Sequence, residues 1–423
     1  MKHLTTHLLS ILILASSTAI HGQLNIDAQL RTRAEYRHGY QQLFPDGAVP
    51  TLVISQQTRL SLKYNSESLR FTFTPQDVRT WGDETTSSST GVFGDGASLD
   101  VLEAFAELNA GRLGWISVGR QQLVYDNERL LASRSWNQNG IAYDAVVLKS
   151  SIHMVNIDAG ISWNSAKTSL TDNLYDPSRI KSLNFIHLNR EINENSQISA
   201  IHIASGSTET DSTNTLHFRQ TTGLYAESKP GLLKLQAGAY YQFGRNNKNQ
   251  SVRAFLFDGD CSVNSRQISA GAGLSYLSGD RNLNDNTDRL FDVLYGARHR
   301  YFGQMDYFSS FARQTAGGGL SDIYFYIKIT PAKGWKLSNT FHTFSLASTN
   351  NTTPDSRFLG FENDLILNGR ISNQSAVHLG IMTFHASENL EILQQVANPG
   401  PSHFIYLALI LKPTLFSEKN STN

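Results

Sequence analysis

The residues of this chain best equipped to do chemistry are cations spaced two apart. Arg31, Arg33 and Arg37 share one parity of the segment Gln29–Arg37, and Arg59 and Lys63 repeat the spacing further on, followed by Arg70 and Arg79. A guanidinium presents a planar fork of donors that matches a carboxylate, and rows of Arg or Lys along a pore select anions. Acids come next in the chain: Glu103, Glu107, Asp126, Glu128 and Asp144. The chemistry in prospect is weak, multisite binding of an anion, which needs no cofactor. A plainer reading stands beside it, in which these charges pair with one another and stiffen the fold.

Other chemistries find little support. There is no His-Glu-x-x-His, Cys-x-x-Cys, Gly-x-Ser-x-Gly or P-loop string. His187, His202, His217, His342 and His378 are scattered through strand-like stretches and read as solvated or interfacial. The oxygen-rich segment Asp280–Asp288 lacks the glycine and closing glutamate of a calcium loop and reads as a surface loop. Gly317, Gly318 and Gly319 read as slack in a loop. The single cysteine, Cys261, excludes an internal disulfide. With 36 basic and 36 acidic residues, the total charge gives no reason to expect nucleic acid. The chain reads as neither an enzyme nor a metalloprotein.

The elements that must carry these charges are strands. Leu24, Ile26, Ala28, Leu30, Thr32, Ala34 and Tyr36 alternate with Asn25, Asp27, Gln29, Arg31, Arg33, Glu35 and Arg37. A strand sends successive side chains to opposite faces, so one face is apolar and the other charged. This strand follows a leader with the marks of an export signal: a short polar start, the apolar run Leu8–Ala15, then small residues. The expected division is a signal peptide over 1–22 and a single domain over 23–423. Similar alternation continues to the end of the chain, in runs such as Leu99–Asn109, Trp115–Leu123, Gly140–Lys149, Ser251–Phe257, Gly303–Phe311 and His403–Lys412. In all, 18 or 19 runs have the length a tilted strand needs to cross a bilayer.

The connections alternate too. Short turns at Asn65–Ser68, Asn109–Arg112, Arg190–Glu194, Lys229–Gly231 and Pro331–Gly334 interleave with long polar stretches at Thr80–Ser98, Asn164–Ser178, Gly206–Asn214, Gly279–Asp288, Ala347–Asp355 and His385–Pro401. Short turns on one side and long loops on the other are how outer-membrane barrels are built. Abundant Tyr (16) and Phe (22) suit interfacial girdles, and a mean hydropathy of −0.30 suits a barrel that turns every second residue to lipid. The fold expected is an all-β, antiparallel, up-and-down transmembrane barrel of 18 strands, an even count with 16 as the alternative. The charged face would then line a lumen, placing Arg31, Arg33, Arg37, Arg59, Lys63, Arg70 and Arg79 on one basic strip.

Particular strings then matter. The run Gly119-Arg-Gln-Gln-Leu-Val-Tyr-Asp-Asn-Glu-Arg-Leu130 resembles the GRQ-x-L-x-YGDERL signature of the alginate-export family of outer-membrane barrels. Gln76–Gly82, Tyr276–Asp280 and Phe291–Gly296 resemble further family strings, while His299–Phe308 and Lys412–Phe416 look like versions found in Bacteroidota members. One departure is Asp126-Asn127, where the family has Gly-Asp. The resemblance covers essentially the whole mature chain. It implies an 18-stranded barrel whose best-known members secrete an anionic uronate polymer through an electropositive pore. It also implies that Arg120 and Arg129 pair in the lumen with Asp126 or Glu128. The expected function is passive passage of an anionic polysaccharide or other anionic solutes across the outer membrane. A general porin and a closed structural barrel are the alternatives. Expected partners are outer-membrane lipid, the barrel-assembly machinery and, for a polymer, periplasmic export components, with the channel itself a monomer.

Overall fold

The computed structural model describes residues 22–82, 99–168, 170, 174–282, 285–349, 352–353 and 356–418. Apart from Gly22, the expected leader lies outside the described residues, as does most of the loop expected over Thr80–Ser98.

Eighteen strands follow one another up and down. They are β1 (Gln23–His38), β2 (Thr51–Asn65), β3 (Leu69–Thr80), β4 (Leu99–Asn109), β5 (Trp115–Gln121), β6 (Tyr143–Ile152), β7 (Val155–Trp163), β8 (Ser182–Asn193) and β9 (Ser196–Thr208), then β10 (Leu216–Ser228), β11 (Leu233–Gly244), β12 (Ala254–Asn264), β13 (Ile268–Leu277), β14 (Leu320–Ala332), β15 (Trp335–Ser345), β16 (Phe358–Arg370), β17 (Ser375–Ala386) and β18 (Ser402–Leu411, continued by Thr414–Ser417). Each pairs antiparallel with its neighbours in sequence. β18 returns to β1, with Leu30 opposite Leu411 and Ile26 opposite Phe416. The result is a closed 18-strand barrel. Closure leaves no strand edge unpaired, the condition for spanning lipid with sheet. Pro413, which has no N–H to donate, sits at the break in β18, where its carbonyl accepts from Ala28 at 2.9 Å.

The outer face is apolar. Leu224, Phe257, Ile323, Phe325, Phe361 and Leu407 are each more than half exposed, in keeping with a surface solvated by lipid. No described helix is long and apolar enough to cross a membrane. One end of the barrel carries tight turns, such as 153–154 and 333–334, and the other carries the long loops.

Two expected strands need correction. Gly303–Phe311 is not a strand. It belongs to the long connection between β13 and β14, described over 278–282 and 285–319, whose residues from Phe291 to Phe311 pack inside the barrel and include the short helices α1 (Arg298–Tyr301) and α2 (Phe311–Gln314). Its apolar residues suggested a wall strand because Met305, Tyr307 and Phe308 are fully buried, but they are buried inside the barrel. The strand expected over Ser251–Phe257 is β12, displaced toward the C-terminus. Ser251 and Val252 instead make a two-residue parallel ladder with Thr287 and Asp288. Small outward residues, Gly259 and Cys261, conceal the period of β12 in the sequence.

Candidate functional site: a strapped lumen and its basic passage

Two loops cross the interior. The first strap, 122–142, joins β5 to β6, and the second is the connection between β13 and β14. They bind each other through their main chains: the Tyr295 N–H donates to Leu130 O at 3.1 Å, and the Ala297 N–H to Glu128 O at 3.0 Å. Leu130, Leu131, Phe291, Val293, Tyr307 and Phe308 pack with the inward wall residues Leu256, Leu277, Leu320, Phe344, Phe384 and Phe404 into one buried apolar cluster. The hydrophobic core of this barrel therefore lies in its lumen, between straps and wall. Burial of that apolar surface holds the straps in place.

The expected basic residues largely serve the first strap. Arg31 and Arg33 lie on the inward face of β1, opposite the inward Gln57 and Ser55 of β2. Arg31 donates through Nε to Gln138 Oε1 at 2.8 Å and through Nη2 to Asn137 O at 2.9 Å. Arg33 donates to Trp136 O at 2.8 Å, stacks over the Trp136 ring at 3.8 Å and pairs with Glu35. Arg59 bonds Gln76 at 3.0 Å and Gln138 O at 3.2 Å. Carbonyls are the natural acceptors here, because a buried loop must satisfy main-chain groups that water would otherwise serve.

The remaining expected residues divide by face. Arg37 is inward and bound to Glu35 at 2.7 Å. Lys63 faces inward near the turn end, in the register of Asn25 and Thr72. Arg70 stacks over Trp115 at 3.8 Å and lies 3.7 Å from Glu107, which also holds Lys149 at 2.7 Å. Glu103 is inward beside Thr74, at 3.5 Å. Asp126 accepts from Ser199 at 2.6 Å and binds His187 at 2.9 Å, while Glu128 accepts from Ser133 and from Arg300 at 3.0 Å. Arg129 is fully buried. It donates to Ser275 at 2.8 Å, lies 3.5 Å from Asp258 and covers the Tyr301 ring at 3.6 Å, so its acidic partner is on the wall rather than in its own motif.

Three expected lumen residues are on the outside. Arg79 lies opposite Gln56, whereas inward Gln57 lies opposite Val78. Arg70 and Arg79 are nine positions apart in sequence, an odd interval, so they occupy opposite faces. Arg79 pairs there with Asp77 at 2.7 Å. Arg120 lies opposite Ala104, on the outward parity between inward Gly119 and Gln121, and makes a two-pronged pair with Asp144 at 2.9 and 3.0 Å. The family string that contains Arg120 thus leaves the wall only after Gln121.

Open space remains along one side. A cavity of about 800 Å³ runs between the straps and the wall of β16, β17, β18 and β1. Among the described residues, Arg31, Arg33, Arg134, Arg298, Arg300 and Lys412 line it, against two acids, Glu128 and Asp306. Its aromatic side is Trp136, stacked on His299 at 3.8 Å and edge-on to Tyr406 at 4.9 Å. A second cavity of about 570 Å³, on the loop side, is lined by Arg219, Lys248 and Arg281 together with Asp280, Asp288 and Asp292. The two meet at Arg298 and Ser310, which border both. A third, of about 350 Å³ toward the turn end, shares Lys412 with the first.

Arg298 is incompletely satisfied. It donates to Ser309 O and, at 3.3 Å, to Leu294 O, and Asp292 stands 3.9 Å away, yet its buried Nε has no partner. Burial pushes its guanidinium below the ordinary value, Asp292 works against that shift, and neighbouring Arg134 adds to it. Sequence reasoning missed Arg134, Arg298, Arg300 and Lys412. The family-like strings beginning at His299 and Lys412 were the available signal, but alternation points only to wall residues.

The family model described as alginate export matches residues 22–386. No curated protein matches the chain. Among solved structures, OccAB1 of Acinetobacter baumannii aligns with a TM-score of 0.63 at 11% identity, covering 93% of this chain and 97% of that one. OccK9 (OpdG) of Pseudomonas aeruginosa aligns at 0.62 and 13% identity, covering 93% and 98%. OpdK of the same organism, solved with vanillate, aligns at 0.58 and 14%, covering 92% and 98%. At these identities the likeness is one of fold.

Proposed function

This chain belongs to the alginate-export family and is an outer-membrane channel protein of a Gram-negative bacterium, and from that premise we propose that it passes anionic solutes passively along the basic side of its lumen. The observation that carries this reading is the excess of six Arg and Lys over two acids around the largest lumen cavity. An anion entering from the loops would meet the mixed charges of the outer cavity, then Arg298 and Ser310, then Arg134, Arg300 and the β1 arginines, and leave past Lys412. Each contact is weak enough to be exchanged for the next, which conduction requires. Trp136, its faces covered by Arg33 and His299, and Tyr406 give the passage an aromatic border, along which the guanidiniums can hold a carboxylate. Vanillate, found with OpdK, combines a ring and a carboxylate in this way. A uronate does so with a sugar ring, as the family's description suggests.

The same reading gives the channel its partners: lipid around the outer band, the barrel-assembly machinery during insertion and, should a polymer be carried, periplasmic export components. It acts as a monomer. The test is the reversal potential of the reconstituted protein across a KCl gradient, with vanillate, monomeric uronate or polyuronate then added to one side. Anion preference with block by a carboxylate is the expected result, and the size of the blocking species assigns the cargo. Weak selectivity without block would instead indicate a general porin, and absence of current a closed barrel.

A further inference from the structure

The second strap rests on β16 through acids. Glu362 and Asp364 stand two residues apart on the inward face, and both are about 2% exposed. Glu362 Oε1 accepts the Met305 N–H at 2.7 Å, and Asp364 Oδ2 accepts the Gln304 N–H at 3.2 Å. Because these N–H groups belong to consecutive residues, the two carboxyl groups are held as neighbours on one face. Among the described residues, no donor reaches Glu362 Oε2 or Asp364 Oδ1, although both are buried.

The surroundings do not neutralise the pair. From β15, His342 places Nε2 3.7 Å from Asp364, but its Nδ1 lies 3.0 Å from another acid, Asp322 of β14. The strap adds a fourth carboxylate, Asp306, held by His299 at 2.9 Å and by the Tyr40 hydroxyl. β17 opposes Glu362 and Asp364 with Phe384 and Met382, which carry no charge. The Tyr307 hydroxyl is turned away, donating to Gly39 O at 2.6 Å. Tyr406 of β18 brings a phenol, not a cation, and Arg129 is engaged with Asp258, 3.5 Å away. Two adjoining buried carboxylates without a full counter-charge are costly as a doubly charged pair, and one shared proton gives them a donor.

We propose that Glu362 and Asp364 form a proton-operated latch, which keeps the second strap docked on β16 while the pair holds a proton and releases it when the proton is lost. The strap carries Arg298, His299 and Arg300 into the main cavity, so its release widens the passage as pH rises. Docking that binds one extra proton weakens by up to about tenfold per pH unit across the titration. The consequence for conductance rests on the channel reading, whereas the latch does not.

The test is hydrogen exchange of segment 298–308 in the full-length, lipid-reconstituted protein at about pH 5 and about pH 9, a window above the ordinary carboxylate range of about 4. Wild type is compared at each pH with Glu362→Gln, which removes the intrinsic pH dependence of exchange. A glutamine keeps the acceptor for Met305 and brings its own donor for Asp364, so that strap stays docked at both values. The wild-type rate relative to the variant is expected to rise at least about tenfold between the two pH values. A constant ratio overturns the latch. Asp364→Asn should behave like Glu362→Gln, and an Asp364→Asn strap that still loosens with pH would equally overturn it. Conductance recorded alongside separates the two readings. A rising ratio with no current at either pH sustains the latch and removes the channel, and pH-dependent current with a constant ratio does the reverse.

Discussion

Arg298 is where the two larger cavities meet, and its role can be separated from that of its neighbours. Its side chain spans from the Leu294 and Ser309 carbonyls to open space, and one of its buried donors is unused. A passing carboxylate is a natural acceptor for such a group. A unit charge about 4 Å away contributes roughly 1 kcal/mol in water and about 4 kcal/mol in a partly screened site. Arg298→Ala should therefore lower the permeability ratio of anion over cation about fivefold or more, read from the reversal potential, with the folded fraction unchanged. Arg79→Ala is the matched control, since Arg79 faces outward and should leave that ratio alone. Equal effects of the two substitutions would refute a filter at Arg298.

At the scale of the element, the first strap explains why most of the β1 and β2 cations are not a free filter. Arg31 and Arg59 spend donors on Gln138, Asn137 and Asn139. Gln57 and Gln76 do the same from the strand faces beside them. Removing both guanidiniums leaves buried carbonyls without partners, at roughly 1–3 kcal/mol each. The double variant Arg31→Ala, Arg59→Ala is accordingly expected to loosen 122–142, giving larger and noisier single-channel current. A smaller current, with selectivity lost and no added noise, would mean that these residues act on the solute directly. Charges pairing within the interior to stiffen it describe Arg33 with Glu35 and Arg70 with Glu107 well. Arg298 and Lys412, which border two cavities each, are the better candidates for selectivity.

For the whole molecule, charge is divided around the lumen. β12, β14 and β16 present Asp258, Asp260, Asp322, Glu362 and Asp364 inward, and the straps pack against that side. β18 and β1 present Lys412, Arg31 and Arg33, and the passage runs there. The second strap thus rests on the acidic half, while the first is tied to the β1 and β2 cations and leaves the passage between them. This arrangement depends on closure, because β18 is the stave that joins the two halves. Truncation after Pro401 removes β18 and exposes the inner partners of Phe404 and Tyr406 together with two strand edges. The truncated chain should lose the compact, heat-sensitive electrophoretic form expected of the full barrel. Retention of that form would show that the strap core alone holds the structure.

The sequence by itself determined what repeats locally. Period-two alternation marked the strands, placed Arg31, Arg33, Arg37, Arg59, Lys63 and Arg70 on one face, and set the count near 18, because a side chain's face depends only on its parity within its own strand. The family strings identified the segments beginning at Gly119 and His299 without saying that they leave the wall. Tertiary structure alone decided that they meet inside the barrel. Arg31 finds Gln138 from 107 positions away, and Arg129 finds Ser275 from 146. Pairings over such separations are set by register and closure around all the staves, which no local period encodes. The same reason explains why Gly303–Phe311 read as a strand. Burial makes a segment apolar whether lipid or a lumen core surrounds it, and only the closed barrel distinguishes the two.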